Sequence, residues 1–283
     1  MAGLPNAEAQ RYWSALAAAW IEGEGRREAM LALPGELAMA RLAPASGERV
    51  LDVGCGTGGT TLELARRAAP GEAVGIDLAA EMLAVARRRA GAAAPGGARA
   101  RFVVGDAQVH DLGEAAFDAA YSRFGVMFFA DPLAAFANLR RALRPGGRLA
   151  LVTWQARALN DWSQIPVDAA VAVLGIDPPD DSPGHPGAFS LAEPEHVESL
   201  LEVAGFDSVV VTAHEDDVAV AESQLASAAQ ASLTTGWVAE ALADATPAQV
   251  AQVAEAVEEA MRSRLRNGET RLRRAVLVSS GLA

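Results

Sequence analysis

Three aspartates stand where short apolar runs give way to turns: Asp52 in "VLDVGCGTGGTT", Asp77 in "VGIDLAAEML" and Asp106 in "VVGDAQ". Each suits a different polar group. A carboxylate at Asp52, just ahead of a glycine-rich turn, would repel a pyrophosphate but accept a hydrogen bond from an ammonium, directly or through water. Asp77 can grip a ribose diol. Asp106, at the next strand end, can accept from an adenine amino group. The glycines allow a tight turn and close ligand approach, and the helix that follows offers free N–H groups to an anion. That anion is either a pyrophosphate or a carboxylate. Gly54, Gly56 and Gly59 spell the dinucleotide fingerprint G-x-G-x-x-G; Gly54, Gly56 and Gly58 spell G-x-G-x-G. The glycines do not decide between them.

The elements that must position these groups alternate from Arg49 onward, which argues for a parallel sheet with crossover helices. Strands are expected at 50–53, 73–77, 99–104, 117–122, 148–154, 208–213 and 273–279. Thr60-x-x-Glu63 matches a capping box opening the helix after the turn. A helix is expected at 78–90, followed by a small-residue loop at 91–97. Asp131-Pro132 starts another helix, with Leu133, Phe136, Leu139 and Leu143 as its buried stripe, and "RPGG" at 144–147 stops it. Residues 7–42 read as two amphipathic helices broken at Gly23 and Gly25. A helix near 161–174 precedes the Pro/Gly/Asp-rich "GIDPPDDSPGHPGAF". A helix at 194–204 and two or three alanine-rich helices within 221–266 complete the chain. With Asp77 and Asp106 at successive strand ends beside Asp52, the group set fits a ligand with a carboxylate, an ammonium, a ribose and an adenine, which describes S-adenosylmethionine.

"VLDVGCGTG", "VGIDLAAEML", "VVGDAQ", "FDAAYSRFGVMFF" and "LRPGGRLALVTW" occur in this order. The series resembles the successive motifs of the class I S-adenosylmethionine-dependent methyltransferases, in the branch of the ubiquinone/menaquinone C-methyltransferases and many small-molecule methyltransferases. The resemblance covers about residues 45–155 and, less closely, 193–213. It implies an α/β, Rossmann-like, seven-stranded, mostly parallel sheet with helices on both faces and the last strand antiparallel. It further implies that Asp52, Gly54, Cys55 and Gly56 face the methionine part of the cofactor. Asp77 and Leu78 would bind the ribose with Met82 nearby, Asp106, Ala107 and Gln108 would surround the adenine, and Ser122, Arg123 and Phe124 would lie near the transferable methyl. The expected organisation is a helical lid at 1–44, a cofactor-binding core at 45–155 and a substrate loop or cap at 156–192. Residues 193–283 would complete the core around a helical insertion at about 221–266.

Other residues admit a structural and a chemical reading. Tyr12, Trp13 and Trp20 lie at helical spacing, either as core or as a lid whose aromatic face could favour a sulfonium; Trp154 is grouped with them as a substrate-side residue. His110 and His185 are candidate general bases or polar loop residues. His196 and His214 read as structural. Arg123 could bind an anion or form a salt bridge. Cys55 reads better as a small packing residue than as a nucleophile, because no basic partner is near it in sequence. The four histidines and single cysteine show no metal-ligand spacing, so no metal is expected.

The 283-residue chain carries 24 basic residues, all arginine, against 36 acidic ones, for a net charge of −12. That balance disfavours nucleic acid as a partner. No apolar run suits a membrane span and no secretory signal is visible, so a cytoplasmic protein is expected; a homodimer is compatible with the sequence. The leading expectation is methyl transfer to O, C or N of a small, largely apolar or aromatic metabolite, as in specialised-metabolite biosynthesis, with the acceptor enclosed by residues 1–40, 155–190 and 221–266. The alternatives are a non-methylating reaction on the same cofactor site (cyclisation or decarboxylation), a dinucleotide oxidoreductase, or a non-catalytic binding module.

Overall fold

The computed structural model describes residues 5–92, 99–181 and 185–283. Two helices, α1 (Ala7–Glu22) and α2 (Glu24–Leu42), precede the alternating part. The chain then runs β1 (Arg49–Val53), α3 (Gly59–Ala68), β2 (Glu72–Asp77), α4 (Ala80–Ala92), β3 (Arg99–Val104), β4 (Phe117–Arg123), α5 (Pro132–Ala142) and β5 (Leu143–Trp154). It continues with α6 (Asp161–Leu174), α7 (Pro194–Val203), β6 (Asp207–Ala221), α8 (Leu225–Ser232), α9 (Gly236–Ala241), α10 (Pro247–Ser263) and β7 (Glu269–Leu282). The seven strands form one sheet in the order β3-β2-β1-β4-β5-β7-β6. β1 pairs in parallel with β2 and β4, β2 with β3, and β4 with β5. β7 runs the other way: Gly146 and Gly147 of β5 bond to Ala283, whereas Gln155, just beyond its other end, bonds to Ala275. The order reverses at β1, so the ends of β1 and β4 flank the crevice where open α/β sheets bind ligands.

The apolar residues of β1, β2, β4 and β5 are buried on both faces, as crossover helices on both sides require. Asp131 caps α5 by accepting from the Ala134 N–H at 2.9 Å, with Pro132 at its first position. The chain divides into two compact units. The first is Met1–Thr153, Pro183–Ala213 and Val276–Ala283; the second is Trp154–Ser182 and His214–Ala275. The second unit has its own core, including Ile165 and Ala170 of α6, Leu225 of α8, Val238 of α9 and Val253 of α10. Its buried Asn160 donates to the Gln155 and Ala275 carbonyls and accepts from the Ala275 N–H.

Several local expectations change. Gly25 lies inside α2, so Gly23 alone separates the first two helices. The 60–63 capping box does not form: α3 starts at Gly59, and the Thr60 hydroxyl donates to Asp52 instead. Leu133 is 40% exposed, and Leu143 belongs to β5 rather than to the α5 stripe. "RPGG" lies within β5, where the β4 register shifts between Phe117 and Ala119. α4 runs to Ala92, and most of the expected 91–97 loop lies outside the described residues. β6 and β7 extend well beyond 208–213 and 273–279. No helix is long and apolar enough to cross a membrane, and no cluster of metal-ligating side chains occurs among the described residues.

α10 opens with a reciprocal capping box: the Gln249 N–H donates to the Thr246 hydroxyl while the Thr246 N–H donates to Gln249 Oε1. Thr246→Ala is expected to cost about 1 kcal/mol, read as a lowered urea midpoint with an unchanged slope.

Candidate active site

The turn after β1 is built by backbone that side chains oppose. Gly54, Gly56 and Gly58 have φ of +71°, +53° and +84°, in the left-handed region that favours glycine. A Cβ on Gly54 would lie 2.7 Å from Gly125 Cα, and one on Gly58 would lie 2.7 Å from Ala86 Cβ and 2.9 Å from the Phe102 ring. Gly59 opens α3 with nothing within 4 Å of its Cβ position. The backbone therefore uses G-x-G-x-G. The third glycine of the dinucleotide fingerprint, needed there for close helix–strand packing, has no such task here.

Asp52 is 1% exposed. Its Oδ2 accepts from the Thr60 and Thr61 hydroxyls at 2.7 and 2.6 Å. Its Oδ1 is buried with no hydrogen-bond partner among the described residues. Burial pushes its pKa up to about 6, against the two threonine bonds and the positive Arg123. The folded protein therefore gives up stability as pH rises from about 4 through 6. An orphaned carboxylate oxygen beside the turn is what an ammonium group would satisfy.

Asp77 Oδ2 accepts from the Gly56 N–H at 2.8 Å and Oδ1 from the Ala79 N–H at 2.9 Å, so the second strand end and the glycine turn are joined directly. Burial raises its pKa while these N–H groups oppose the shift. Leu78 is half-buried. Met82 is buried, with its sulfur 3.8 Å from the Gly56 Cβ position. Asp106, Ala107 and Gln108 are buried together at the end of β3. The Gln108 N–H donates to Asp106 Oδ1, and the Ala107 carbonyl accepts from Asn138. The candidate cofactor residues of the first three strands thus converge on one edge of the sheet.

Cys55 turns inward. A Cβ on Gly75 would lie 2.7 Å from its sulfur, and it packs with Leu83, Ala86 and Phe102. Burial and the nearby Asp52 and Asp77 push its thiol well above the usual range, which makes it an inert packing group. The Ser122 hydroxyl donates to the Val53 carbonyl and accepts from the Gly125 N–H, tying the ends of β1 and β4. Arg123 forms the salt bridge, with both guanidinium nitrogens on Glu28 of α2 at 2.8 and 3.0 Å. Phe124 is buried with φ of +62°, a strained backbone for a bulky residue.

Trp13 meets Tyr12, Trp20 and Phe128 edge to face, at 5.3, 5.0 and 5.0 Å. Trp13 and Trp20 also pack against Ala79 and Met82, which sets α1 beside the residues that follow Asp77. The cation over Trp20 is Arg27, 4.1 Å from the ring, so that ring face is taken. His110 is not gathered with the aspartates. Its ring lies under Gly105 in a cavity of about 60 Å³ lined also by Arg49, Val74, Ile76 and Phe117, which alternation along β1 and β2 puts on the sheet face opposite Asp52. His185 is exposed, two residues before Gly187, whose N–H bonds the Met127 carbonyl. Trp154 belongs to the second unit, against Trp162.

Sequence reasoning missed the supports. Glu24 of α2 accepts from the Thr57 hydroxyl at 2.5 Å and from both Arg89 nitrogens at 2.6 and 2.5 Å, clamping the glycine turn. Arg89 first, then Thr57, holds the Glu24 pKa near 2 against the cost of burial. Asn6, just ahead of α1, reaches Asp106 and Gln108. These residues are distant in sequence from what they touch, and no local pattern marks them.

Residues 50–147 match the family described as "Methyltransferase domain". The chain carries a methyltransferase domain. Its motifs and its seven-stranded sheet resemble those of the class I S-adenosylmethionine-dependent methyltransferases. The O-methyltransferase cnsE of Penicillium expansum is 34% identical over 174 residues, 61% of this chain and 56% of that protein. Demethylmenaquinone methyltransferase of Thermus thermophilus is 44% identical over 105 residues, 37% of this chain and 46% of that one. The chain thus spans about half the length of these relatives. In fold, the methyltransferase domain and its flanks resemble the YcgJ protein of Bacillus subtilis, with a TM-score of 0.56 and 18% identity over 88% of this chain and 97% of that one. The [4+2]-cyclase SpnF has a TM-score of 0.51 and 23% identity over 87% and 78%.

Two outcomes follow from the turn. Gly58→Ala should cost about 2–3 kcal/mol through overpacking and positive φ, whereas Gly59→Ala should be neutral or stabilise by up to about 1 kcal/mol; chemical denaturation of the pair distinguishes them. Glu24→Gln should destabilise at neutral pH. Because the folded pKa of Glu24 is depressed, the difference from wild type should hold above about pH 4.5 and close as pH falls toward 2, in thermal melts across that range.

Proposed function

We propose that the protein is a methyltransferase that takes S-adenosylmethionine as donor and a small, largely apolar or aromatic molecule as acceptor. The observation that carries the reading is the buried Asp52 Oδ1, left without a partner among the described residues beside a G-x-G-x-G turn. Asp77 and Asp106 at the next two strand ends support it. A donor bound there supplies a methyl group on a positive sulfur, which leaves as a neutral thioether. Asp52 would hold the ammonium, and the start of α3 would face the carboxylate with its N–H groups. Asp77 would hold the ribose, and Asp106, Ala107 and Gln108 the adenine. The rest of the protein's task is alignment and exclusion of water, which can supply up to about 7–11 kcal/mol of barrier lowering. The aromatic cluster of Trp13, Trp20 and Phe128 favours an apolar acceptor. The names of the two relatives accord with small-molecule acceptors, with transfer to oxygen in the first. No general base is assigned to His110 or His185, since neither stands among the three aspartates.

The test is calorimetry with S-adenosylhomocysteine, followed by a screen of acceptors with labelled donor. Wild type should bind, with affinity rising between pH 5 and 7 as Asp52 ionises. Asp52→Asn should bind about 30-fold more weakly, from loss of a charged hydrogen bond worth about 2 kcal/mol, and without that pH dependence. Asp77→Ala should weaken binding strongly. A wild-type chain that does not bind overturns the reading. Product formed without S-adenosylhomocysteine would point instead to a reaction such as cyclisation, which the fold also carries in SpnF.

A further inference from the structure

Asn6 is 3% exposed, although it lies just outside the first helix and does not cap it. Its side-chain nitrogen donates to Asp106 Oδ1 at 2.7 Å and to Gln108 Oε1 at 3.0 Å. Its side-chain oxygen accepts from the Ala130 N–H at 2.6 Å, and its own N–H points at Asp106 Oδ2 at 3.3 Å. The amide orientation is fixed, because a backbone N–H faces one end and two acceptors face the other. Gln108 Oε1 also accepts from the Asp131 N–H, so its side-chain nitrogen is turned away from Asn6. Asp106 Oδ1 already receives two donors, from Asn6 and from the Gln108 N–H. Among the described residues, Oδ2 receives only the long contact from the Asn6 N–H and keeps acceptor capacity.

We propose that Asn6 is a specificity-determining positioning residue: by fixing the Asp106 carboxylate and the Gln108 amide, it makes this pocket demand a base with an exocyclic amino group. The inference rests on the reading of Asp106 as the adenine acceptor. A carboxylate held in one orientation, with acceptor capacity left on Oδ2, welcomes an N–H donor. It penalises a carbonyl in the same place, because two acceptors then meet in a buried setting. A carboxylate free to rotate could turn away and discriminate less. α1 follows Asn6 directly, and its Gln10 reaches the Leu78 carbonyl at 3.5 Å while Ser14 reaches Glu81 at 3.2 Å. The same helix thus continues along the ribose side.

The test compares S-adenosylhomocysteine with S-inosylhomocysteine, which carries a carbonyl in place of the amino group. Calorimetry is run on wild type, Asn6→Ala and Asn6→Ser, with thermal melts to verify folding. Wild type should prefer the adenosyl compound at least tenfold. Asn6→Ala should lose about tenfold on the adenosyl compound and much less on the inosyl one, so that the preference shrinks. Asn6→Ser, which keeps a short donor, should fall between, and it serves alone if the alanine variant does not fold. An unchanged preference overturns the proposal, whether affinities stay the same or both compounds weaken equally as α1 loosens. Failure of wild type to bind either compound would fail the cofactor reading itself.

Discussion

A carboxylate buried to 1% exposure, with one oxygen unpartnered among the described residues, is the constraint around which the first unit is arranged. Asp52 could not stand at the end of a central strand without Thr60 and Thr61 on its other oxygen. Those hydroxyls are in reach only because the chain turns at once through three left-handed glycines into α3. The turn in turn requires Gly125 opposite Gly54, Gly75 under Cys55, and room at Ala86 for Gly58. One unfavourable electrostatic placement therefore dictates small residues in the turn after β1, on β2 and in the segment after β4. It is the kind of local conflict that marks a binding site rather than a fold requirement.

Around that centre the supports form a second layer drawn from the first two helices. Glu24 holds the turn through Thr57 and Arg89, Glu28 holds Arg123, and the Gly35 carbonyl accepts from Tyr121 at 2.9 Å. All three anchors lie on α2, which packs on β4. Asn6 and α1 do the same for the ends of β2 and β3. The helices ahead of the sheet are thus part of the edge that carries the three aspartates and not an appendage to it.

The alternating strands and helices were legible because burial on both faces leaves continuous apolar runs, and the three aspartates stood out as charges ending such runs. What was not legible has physical causes. Thr60-x-x-Glu63 has the residues of a capping box, but Asp52 competes for the Thr60 hydroxyl and Arg66 and Arg67 take Glu63. "RPGG" looks like a terminator, yet a register shift absorbs it within β5. β6 runs on through "HEDDVAV" because alternate residues there are half-buried, a weak period-2 signal in a polar stretch. Arg123 could be read two ways, and its partner Glu28 is a helix residue far away in sequence. Asn6 carries no local signal at all, because its partner Asp106 is 100 residues away in sequence.

The division of the chain has a consequence for how such a protein can diversify. The second unit is supplied by two stretches, Trp154–Ser182 and His214–Ala275, that leave and rejoin the sheet at β5, β6 and β7. None of the three aspartates, the glycine turn or their helical supports lies in either stretch. Lengthening, shortening or exchanging those stretches would leave the chain path through β1 to β4 as it is. A lineage could rewrite one part of the molecule for new chemistry while the edge with the three aspartates is inherited unchanged.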